Sequence, residues 1–182
     1  MENEKELQSS YHLTEVNPPD TGQGPVDYVN IIQEGFLLPH FSLLDSSGNR
    51  FVLMDLIGKR NIVLVFLHRS DCFCTAFFLE ELQANLAEMK SYNAVVAAIS
   101  IEHPRLISEF ASRLKLEFPV LCDRDQAVVR LYAVLDRDSA RGQPHPAIYL
   151  ADLQGVIRQK QINLQHADQL SLPALLERLK EI

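Results

Sequence analysis

The feature that most constrains the fold is a nearly continuous apolar run at residues 61 to 68, NIVLVFLH. A strand with one face in water alternates apolar and polar residues, whereas this run has no alternation and is rich in β-branched side chains. It therefore predicts a strand that is covered on both faces. Residues 94 to 102 form a second run of this kind, and residues 118 to 123 predict a third strand.

Helical patterns separate these strands. Apolar residues recur at helical spacing after the first strand and again after the second, at Phe78, Leu82, Leu86 and Met89 and at Leu106, Ile107, Phe110 and Leu114. Turn residues between short apolar runs predict an N-terminal β-hairpin at residues 41 to 55 and a second hairpin at residues 146 to 162, before a final helix. The order predicts an α/β fold in which a central mixed, largely parallel sheet has helices on both faces.

The chain length of 182 residues is that of one ordinary domain. Residues 1 to 25 are polar and end in a segment rich in Pro and Gly, without apolar periodicity. We therefore predict a flexible or loosely docked extension at residues 1–25 and a single domain at residues 26–182.

Charge and composition exclude several functional classes. The formal net charge of −7 argues against a nucleic-acid partner, which requires a clustered positive face. No apolar run approaches the roughly 20 residues of a membrane-spanning helix. The acidic N-terminus lacks the apolar core of a secretory signal, and three cysteines cannot form a disulfide framework. We therefore expect a cytoplasmic protein.

Two cysteines one residue apart, Cys72 and Cys74, follow the first buried strand directly. A thiolate is the reactive form of cysteine, and unpaired backbone N–H groups at a helix N-terminus favour it. Arg69 and His68 would add positive charge, whereas the Asp71 carboxylate would oppose a second negative charge unless it caps the helix. The sequence leaves both arrangements open.

The stretch from "GFLLPHFSLLDSSGNRFVLMDLIGK" to "HRSDCFCT" resembles the opening of the alkyl hydroperoxide reductase and thiol-specific antioxidant family. These are peroxiredoxin-like members of the thioredoxin-like superfamily, and "FPVLCD" and "PAIYLADLQGVIRQK" also follow their pattern. The resemblance implies a thioredoxin-like fold and thiol-dependent reduction of hydrogen peroxide or organic hydroperoxides. It implies no organic cofactor and no metal, a thioredoxin-type or small-thiol electron donor, and in many members a homodimer.

The resemblance also implies roles for individual residues. Cys74 is the expected counterpart of the peroxidatic cysteine, because the helix is expected to begin there, and Cys72 is a candidate resolving partner. The family carries Thr or Ser three residues before the cysteine, where this chain has Asp71, and an Arg near Pro146. Thioredoxin-like reductants instead carry a Pro at that place, usually after a cis bond. Arg69 is the expected electrostatic helper.

Several alternatives remain open at this point. Pro146 favours a thiol–disulfide oxidoreductase, and the missing Thr and Arg favour a non-catalytic redox-sensing or binding module. Cys122 is either a second resolving candidate or buried filler, and Arg141 is either a replacement cation or a solvated loop residue. His68 and His145 either flank the site or have surface roles, and a metal site at Cys72, Cys74, His68 and Asp71 is a further hypothesis.

Overall fold

The computed structural model of the chain describes residues 32–136, 139, 142–164 and 170–182. The predicted N-terminal extension, the domain boundary at residue 26 and Arg141 lie outside these residues. They therefore stay predictions.

Strands and helices alternate along the described residues in the predicted order. They are β1 (Ser42–Leu44), β2 (Arg50–Val52), a 3₁₀ turn (Leu53–Asp55), β3 (Asn61–Phe66), α1 (Phe73–Ala84), α2 (Leu86–Ser91), β4 (Ala94–Ser100), α3 (Pro104–Arg113), β5 (Val120–Cys122), α4 (Ala127–Leu131), β6 (Ala147–Ala151), β7 (Ile157–Ile162) and α5 (Leu172–Lys180).

The main sheet has the strand order β5-β4-β3-β6-β7. β3, β4 and β5 are parallel, while β6 runs antiparallel to β3 and β7 antiparallel to β6. β1 and β2 form the predicted N-terminal hairpin as a separate two-stranded sheet. The predictions of a central mixed sheet and of two hairpins are therefore confirmed.

β3 lies at the centre of this sheet, and all six of its residues are buried. Its alternate side chains enter two different apolar clusters. One cluster packs the sheet against α1, α2, α3 and α5, and Leu79, Phe110 and Leu175 belong to it. The other packs the sheet against α4 and the N-terminal hairpin and includes Val129 and Tyr149. Helices thus cover both faces, as the unalternating sequence of β3 predicts.

The helical pattern after β3 predicts one continuous helix, but the structure has two. α1 ends at Ala84, and α2 begins at Leu86. The Asn85 side chain donates to the Glu81 carbonyl at 2.9 Å and shares this acceptor with its own backbone N–H, at 3.2 Å. The Asn85 backbone leaves helical geometry, with φ −101° and ψ 6°. The apolar spacing is preserved across the break, so both helices face the same core.

The register of the sheet brings three chain segments together beyond the carboxyl end of β3. Phe66, the last residue of β3, pairs with Ile99 of β4 and with Ala147 of β6. Because β4 runs parallel to β3, its following loop emerges at the same edge. Because β6 runs antiparallel, the segment that precedes it, with Pro146, reaches this edge as well.

Asp123 fixes the start of α4, the helix whose following segment leads to Pro146. This residue is fully buried, and its carboxylate accepts the backbone N–H groups of Val128 at 3.2 Å and Val129 at 2.8 Å. An Asp123→Ala variant leaves both groups without a partner, so we expect a loss of about 1 to 3 kcal/mol in the free energy of unfolding.

Urea denaturation followed by circular dichroism measures this loss. The matched control is Asp55→Ala, because Asp55 is exposed and a surface change of this kind shifts stability by about 0.5 kcal/mol or less. Equal stability of the two variants would contradict the structural role of Asp123.

Candidate active site

The loop between β3 and α1, residues 67 to 72, is fixed by the neighbouring strand β4. The Leu67 N–H donates to the Ile99 carbonyl at 2.9 Å, and the Ser70 N–H donates to the Glu102 carboxylate at 2.8 Å. The Glu102 N–H in turn donates to Ser100 Oγ at 3.2 Å. The carboxyl end of β4 therefore holds the cysteine loop in place.

Cys72 is the N-cap residue of α1. Its N–H closes a turn onto the Arg69 carbonyl at 3.3 Å, and its own carbonyl accepts the first helical hydrogen bond, from Ala76 N–H at 3.2 Å. The backbone of Cys72 is extended, with φ −79° and ψ 126°. The expectation that the helix begins at Cys74 is therefore wrong. α1 begins at Phe73, and Cys74 is its second residue.

The two thiols have different electrostatic environments. Burial opposes ionisation of Cys72, but the nearby N–H groups of Thr75 and Cys74 and the side chains of these two residues outweigh it and lower its pKa. The Cys72 side chain makes no capping hydrogen bond, so these groups act as nearby dipoles. Cys74 is exposed, and the negative charge of Cys72 raises the pKa of its thiol.

Arg69 and Asp71 form a bidentate ion pair. Arg69 Nε donates to one carboxylate oxygen at 2.7 Å, and its terminal Nη2 contacts the other. Asp71 therefore does not cap the helix, since Cys72 occupies that position. The opposite charges of this pair offset each other near the thiols. The role of Arg69 as an electrostatic helper stays a prediction.

A pocket of about 290 Å³ opens beside the cysteines. Cys72, Cys74, Thr75 and Pro146 all line it. Most of its remaining wall is apolar and is formed by Val65, Phe66, Leu67, Phe77, Phe78 and Leu170, while His68, Glu81 and Asn163 add polar groups. The pocket gives a small, largely apolar molecule access to the thiols.

Pro146 reaches the pocket through the segment before β6, as the sheet register requires. The peptide bond that precedes it is trans, unlike the cis bond implied by the likeness to thioredoxin-like reductants. His68 also lines the pocket, and its Nδ1 lies 3.0 Å from the Pro144 carbonyl oxygen. The His145 side chain is partly buried near Asp136, with His145 Nε2 3.9 Å from Asp136 Oδ1.

Cys122 ends the edge strand β5, which is separated from β3 by β4. It does not line the pocket, and burial raises the pKa of its thiol. Its assignment as a resolving cysteine stays a prediction. Within the described residues, no group of three or more His, Cys, Asp or Glu side chains could hold a metal ion.

Sequence reasoning missed two residues that shape this site. Thr75 is 8% exposed and lies three residues after the N-cap cysteine, a spacing that brings two side chains together at a helix start. The C-x-x-T spacing was therefore a usable signal. Glu102 had no such signal, because its contact with the loop depends on the pairing of β3 with β4.

The sequence profile of the AhpC/TSA family matches residues 35–160 of this chain. Peroxiredoxin Bcp of Escherichia coli K12 is 30% identical over 133 residues, which cover 71% of this chain and 85% of that protein. A putative peroxiredoxin of the same name from Helicobacter pylori J99 is 28% identical over 130 residues, covering 69% of this chain and 85% of that protein.

Solved structures agree on the fold. AhpC of Enterococcus faecalis superposes with a TM-score of 0.73 at 21% identity, covering 83% of this chain and 92% of that one. Peroxidoxin BcpB of Mycobacterium tuberculosis gives a TM-score of 0.72 at 18% identity, covering 83% and 98% respectively. The protein thus has a thioredoxin-like fold with a cysteine pair at its central strand-to-helix junction. It belongs to the AhpC/TSA family.

Among the described residues, no helix is long and apolar enough to cross a membrane.

The unequal environments of the thiols predict an order of ionisation. Because its pKa is lowered, Cys72 becomes a thiolate at lower pH than an ordinary cysteine, whereas Cys74 and Cys122 need higher pH. As the pH is raised, we expect iodoacetamide to alkylate Cys72 first, as measured by peptide mass mapping.

A Cys72→Ser variant is the control for the coupling between the thiols. The charge of Cys72 is the main cause of the raised pKa of Cys74, so its removal should lower the alkylation midpoint of Cys74. Alkylation of Cys74 before Cys72 in the unaltered protein would contradict this electrostatic description.

Proposed function

We propose that this protein is a thiol peroxidase that reduces hydroperoxides through the Cys72–Cys74 pair. The observation that carries the proposal is a thiol with a lowered pKa at the N-cap of α1, beside a pocket that admits a small molecule. The relatives named as peroxiredoxins support it, and their match covers the cysteine loop.

The reaction follows from thiolate chemistry. The thiolate sulfur attacks one oxygen of the O–O bond, the S–O bond forms, and the O–O bond breaks. The leaving alkoxide or hydroxide takes up a proton, so that cysteine and hydroperoxide become a sulfenic acid and an alcohol or water. A second thiol then condenses with the sulfenic acid, which releases water and forms a disulfide.

The composition of the pocket supports organic hydroperoxides as the preferred substrates. Aromatic and aliphatic side chains, among them Phe77, Phe78 and Leu170, form most of the wall next to the thiols. Hydrogen peroxide gains nothing from apolar contact, whereas the organic group of a hydroperoxide loses contact with water when it binds there. One solved neighbour is described by its alkyl peroxide reduction activity.

Regeneration requires an external reductant. We propose a thioredoxin-type or small-thiol donor, which would reduce the disulfide and restore both thiols. A cycle that consumes reduced thiols belongs in a reducing compartment, and we therefore propose the cytoplasm. A homodimer, frequent in the family by the resemblance noted above, is also part of the proposal.

A second candidate function is thiol–disulfide exchange with protein disulfides. The observation that favours it is that Pro146 lines the same pocket as both cysteines. Exchange would use the same thiolate, with a disulfide sulfur as the target instead of a peroxide oxygen. Peroxide reactivity of the reduced protein separates the two candidates.

The first test is the mass of the intact reduced protein after one equivalent of cumene hydroperoxide. We expect the loss of two hydrogens or the gain of one oxygen within seconds. The double variant Cys72→Ser/Cys74→Ser should not change in mass on this timescale. Cys122→Ser is the matched control and should react like the unaltered protein. A double variant that still oxidises at the original rate would refute the proposed site.

Substrate preference gives a second test, because two phenylalanines on α1 differ in position. Phe77 lines the pocket, whereas Phe73 is 81% exposed and does not. The loss of about 1 kcal/mol of apolar contact in Phe77→Ala should lower kcat/KM for cumene hydroperoxide roughly five-fold, with little change for hydrogen peroxide.

The matched control is Phe73→Ala. The Phe73 ring does not line the pocket but stacks on Phe77, so its removal should change the preference between the two peroxides less than Phe77→Ala does. An equal loss for both peroxides in Phe77→Ala would argue against an organic hydroperoxide as the preferred substrate.

A further inference from the structure

We propose that Cys72 attacks the peroxide, that the Thr75 hydroxyl is the polar partner of the attacking sulfur, and that Cys74 resolves the sulfenic acid. This inference rests on the proposed function and assigns roles within the same site. It departs from the sequence expectation, in which Cys74 attacks and Cys72 resolves.

The position of Cys72 at the helix start supports its role as the residue that attacks the peroxide. Its backbone is extended, so its side chain lies outside the first turn, whose N–H groups lack helical partners. The nearby N–H groups of Cys74 and Thr75 act on its sulfur. Cys74 already lies within the helix, is exposed, and has a raised pKa because of the charge on Cys72. The geometry therefore provides for one thiolate, on Cys72.

Thr75 is the source of the hydroxyl group in this site. The resemblance implies Thr or Ser three residues before the cysteine, but Asp71 stands three before Cys74 and is paired with Arg69. Three residues before Cys72 stands Arg69 itself. Among the described residues that line the pocket, Thr75 alone carries a hydroxyl group, three residues after Cys72. The hydroxyl thus approaches the sulfur from the helix side.

Ser70 does not take this role. It is buried, its backbone N–H is bound by Glu102, and it does not line the pocket. Thr75 is also buried, so its hydroxyl is shielded from bulk water that would compete for the same contact. In the pocket the hydroxyl can donate first to the thiolate and then to the peroxide oxygen next to it.

Cys74 is suited to the second step. Its thiol acts on the Cys72 sulfur and helps to lower the pKa there, so the two side chains are already neighbours. Once Cys72 is a sulfenic acid, the Cys74 sulfur attacks the Cys72 sulfur and loses its proton. The S–S bond forms, the S–O bond breaks, and hydroxide leaves with that proton as water. An external dithiol donor then reduces the disulfide and is itself oxidised.

The barrier to an i, i+2 disulfide within a helix is reduced here, because Cys72 lies outside α1. Two residues inside a helix point to different faces and cannot bridge. An N-cap residue in extended conformation, such as Cys72, is not held in the helical direction, so its side chain can turn toward Cys74. The first turn still has to adjust to bring the two sulfur atoms to about 2.0 Å.

The test uses the full chain, reduced, with stopped-flow mixing against cumene hydroperoxide and mass analysis of the products. In Cys72→Ser we expect the oxidation rate to fall at least about a thousandfold. Cys74→Ser should still undergo the first oxidation, more slowly than the unaltered protein because the Cys74 thiol helps to lower the pKa of Cys72, but much faster than Cys72→Ser. It should stop after the gain of one oxygen, since disulfide formation needs the second thiol.

Thr75→Val removes the hydroxyl at nearly constant volume. We expect a roughly ten- to hundred-fold loss of rate and a pH midpoint shifted upward, for both the reaction and the alkylation of Cys72. Thr75→Ser should restore both quantities, which a merely structural role would not explain. Should Thr75→Val fail to unfold cooperatively, Thr75→Ala replaces it in the same comparison with Thr75→Ser.

Contrary outcomes separate the two proposals. If Cys74→Ser loses the first oxidation while Cys72→Ser retains it, the assignment of roles is overturned and the peroxidase function stands. An unchanged pH midpoint in Thr75→Val overturns the role of Thr75. If the unaltered reduced protein does not react with either peroxide, the proposed function fails and the inference fails with it.

Discussion

The structure depends on the complete burial of β3. This strand is paired along both edges, with β4 and β6, and is covered on both faces by apolar clusters. Its carboxyl end therefore has a fixed place relative to the two neighbouring strands. The loop that follows is also fixed in place, because Leu67 continues the pairing with β4 and the Ser70 N–H donates to the Glu102 carboxylate just after β4. A thiol on this loop is positioned by the central, fully buried strand of the sheet.

The different properties of the two thiols arise from their positions relative to the start of α1. Cys72 lies one residue before α1 and Cys74 lies in its first turn. The two identical side chains therefore have different electrostatic environments. The local charges of Arg69 and Asp71 are paired with each other. Backbone dipoles and the Thr75 and Cys74 side chains therefore decide the difference between the two thiols. This chain departs from the family's residues at Asp71 and Pro146. It nevertheless has a cysteine, Cys72, whose thiolate is stabilised.

Most of the fold could be predicted from the sequence, because the spacing of apolar residues follows directly from which faces of a strand or helix are buried. The unalternating run in β3 and the helical spacing in α3 and α5 each predicted the observed element. Where a side chain competes with the backbone, the pattern did not suffice, as at Asn85 between α1 and α2. The helix start was misplaced by one residue, because the spacing between strand and cysteine placed it at Cys74. The sequence also did not show that Arg69 binds Asp71 and that Cys72 is the N-cap. Long-range contacts such as Glu102 with the loop depend on strand register, which spacing does not reveal.

The unequal exposure of the two cysteines separates their reaction partners by size. Cys72 is only partly accessible, beside a pocket of about 290 Å³, so a small molecule reaches it more readily than a macromolecule. Cys74 is exposed on the helix surface near Phe73 and Phe77, whose rings are stacked with their centroids 6.3 Å apart. An approaching protein therefore meets two aromatic rings and the exposed Cys74 thiol, whereas the Cys72 thiol is less accessible. The start of α1 thus places a small pocket beside one thiol and an exposed aromatic surface beside the other.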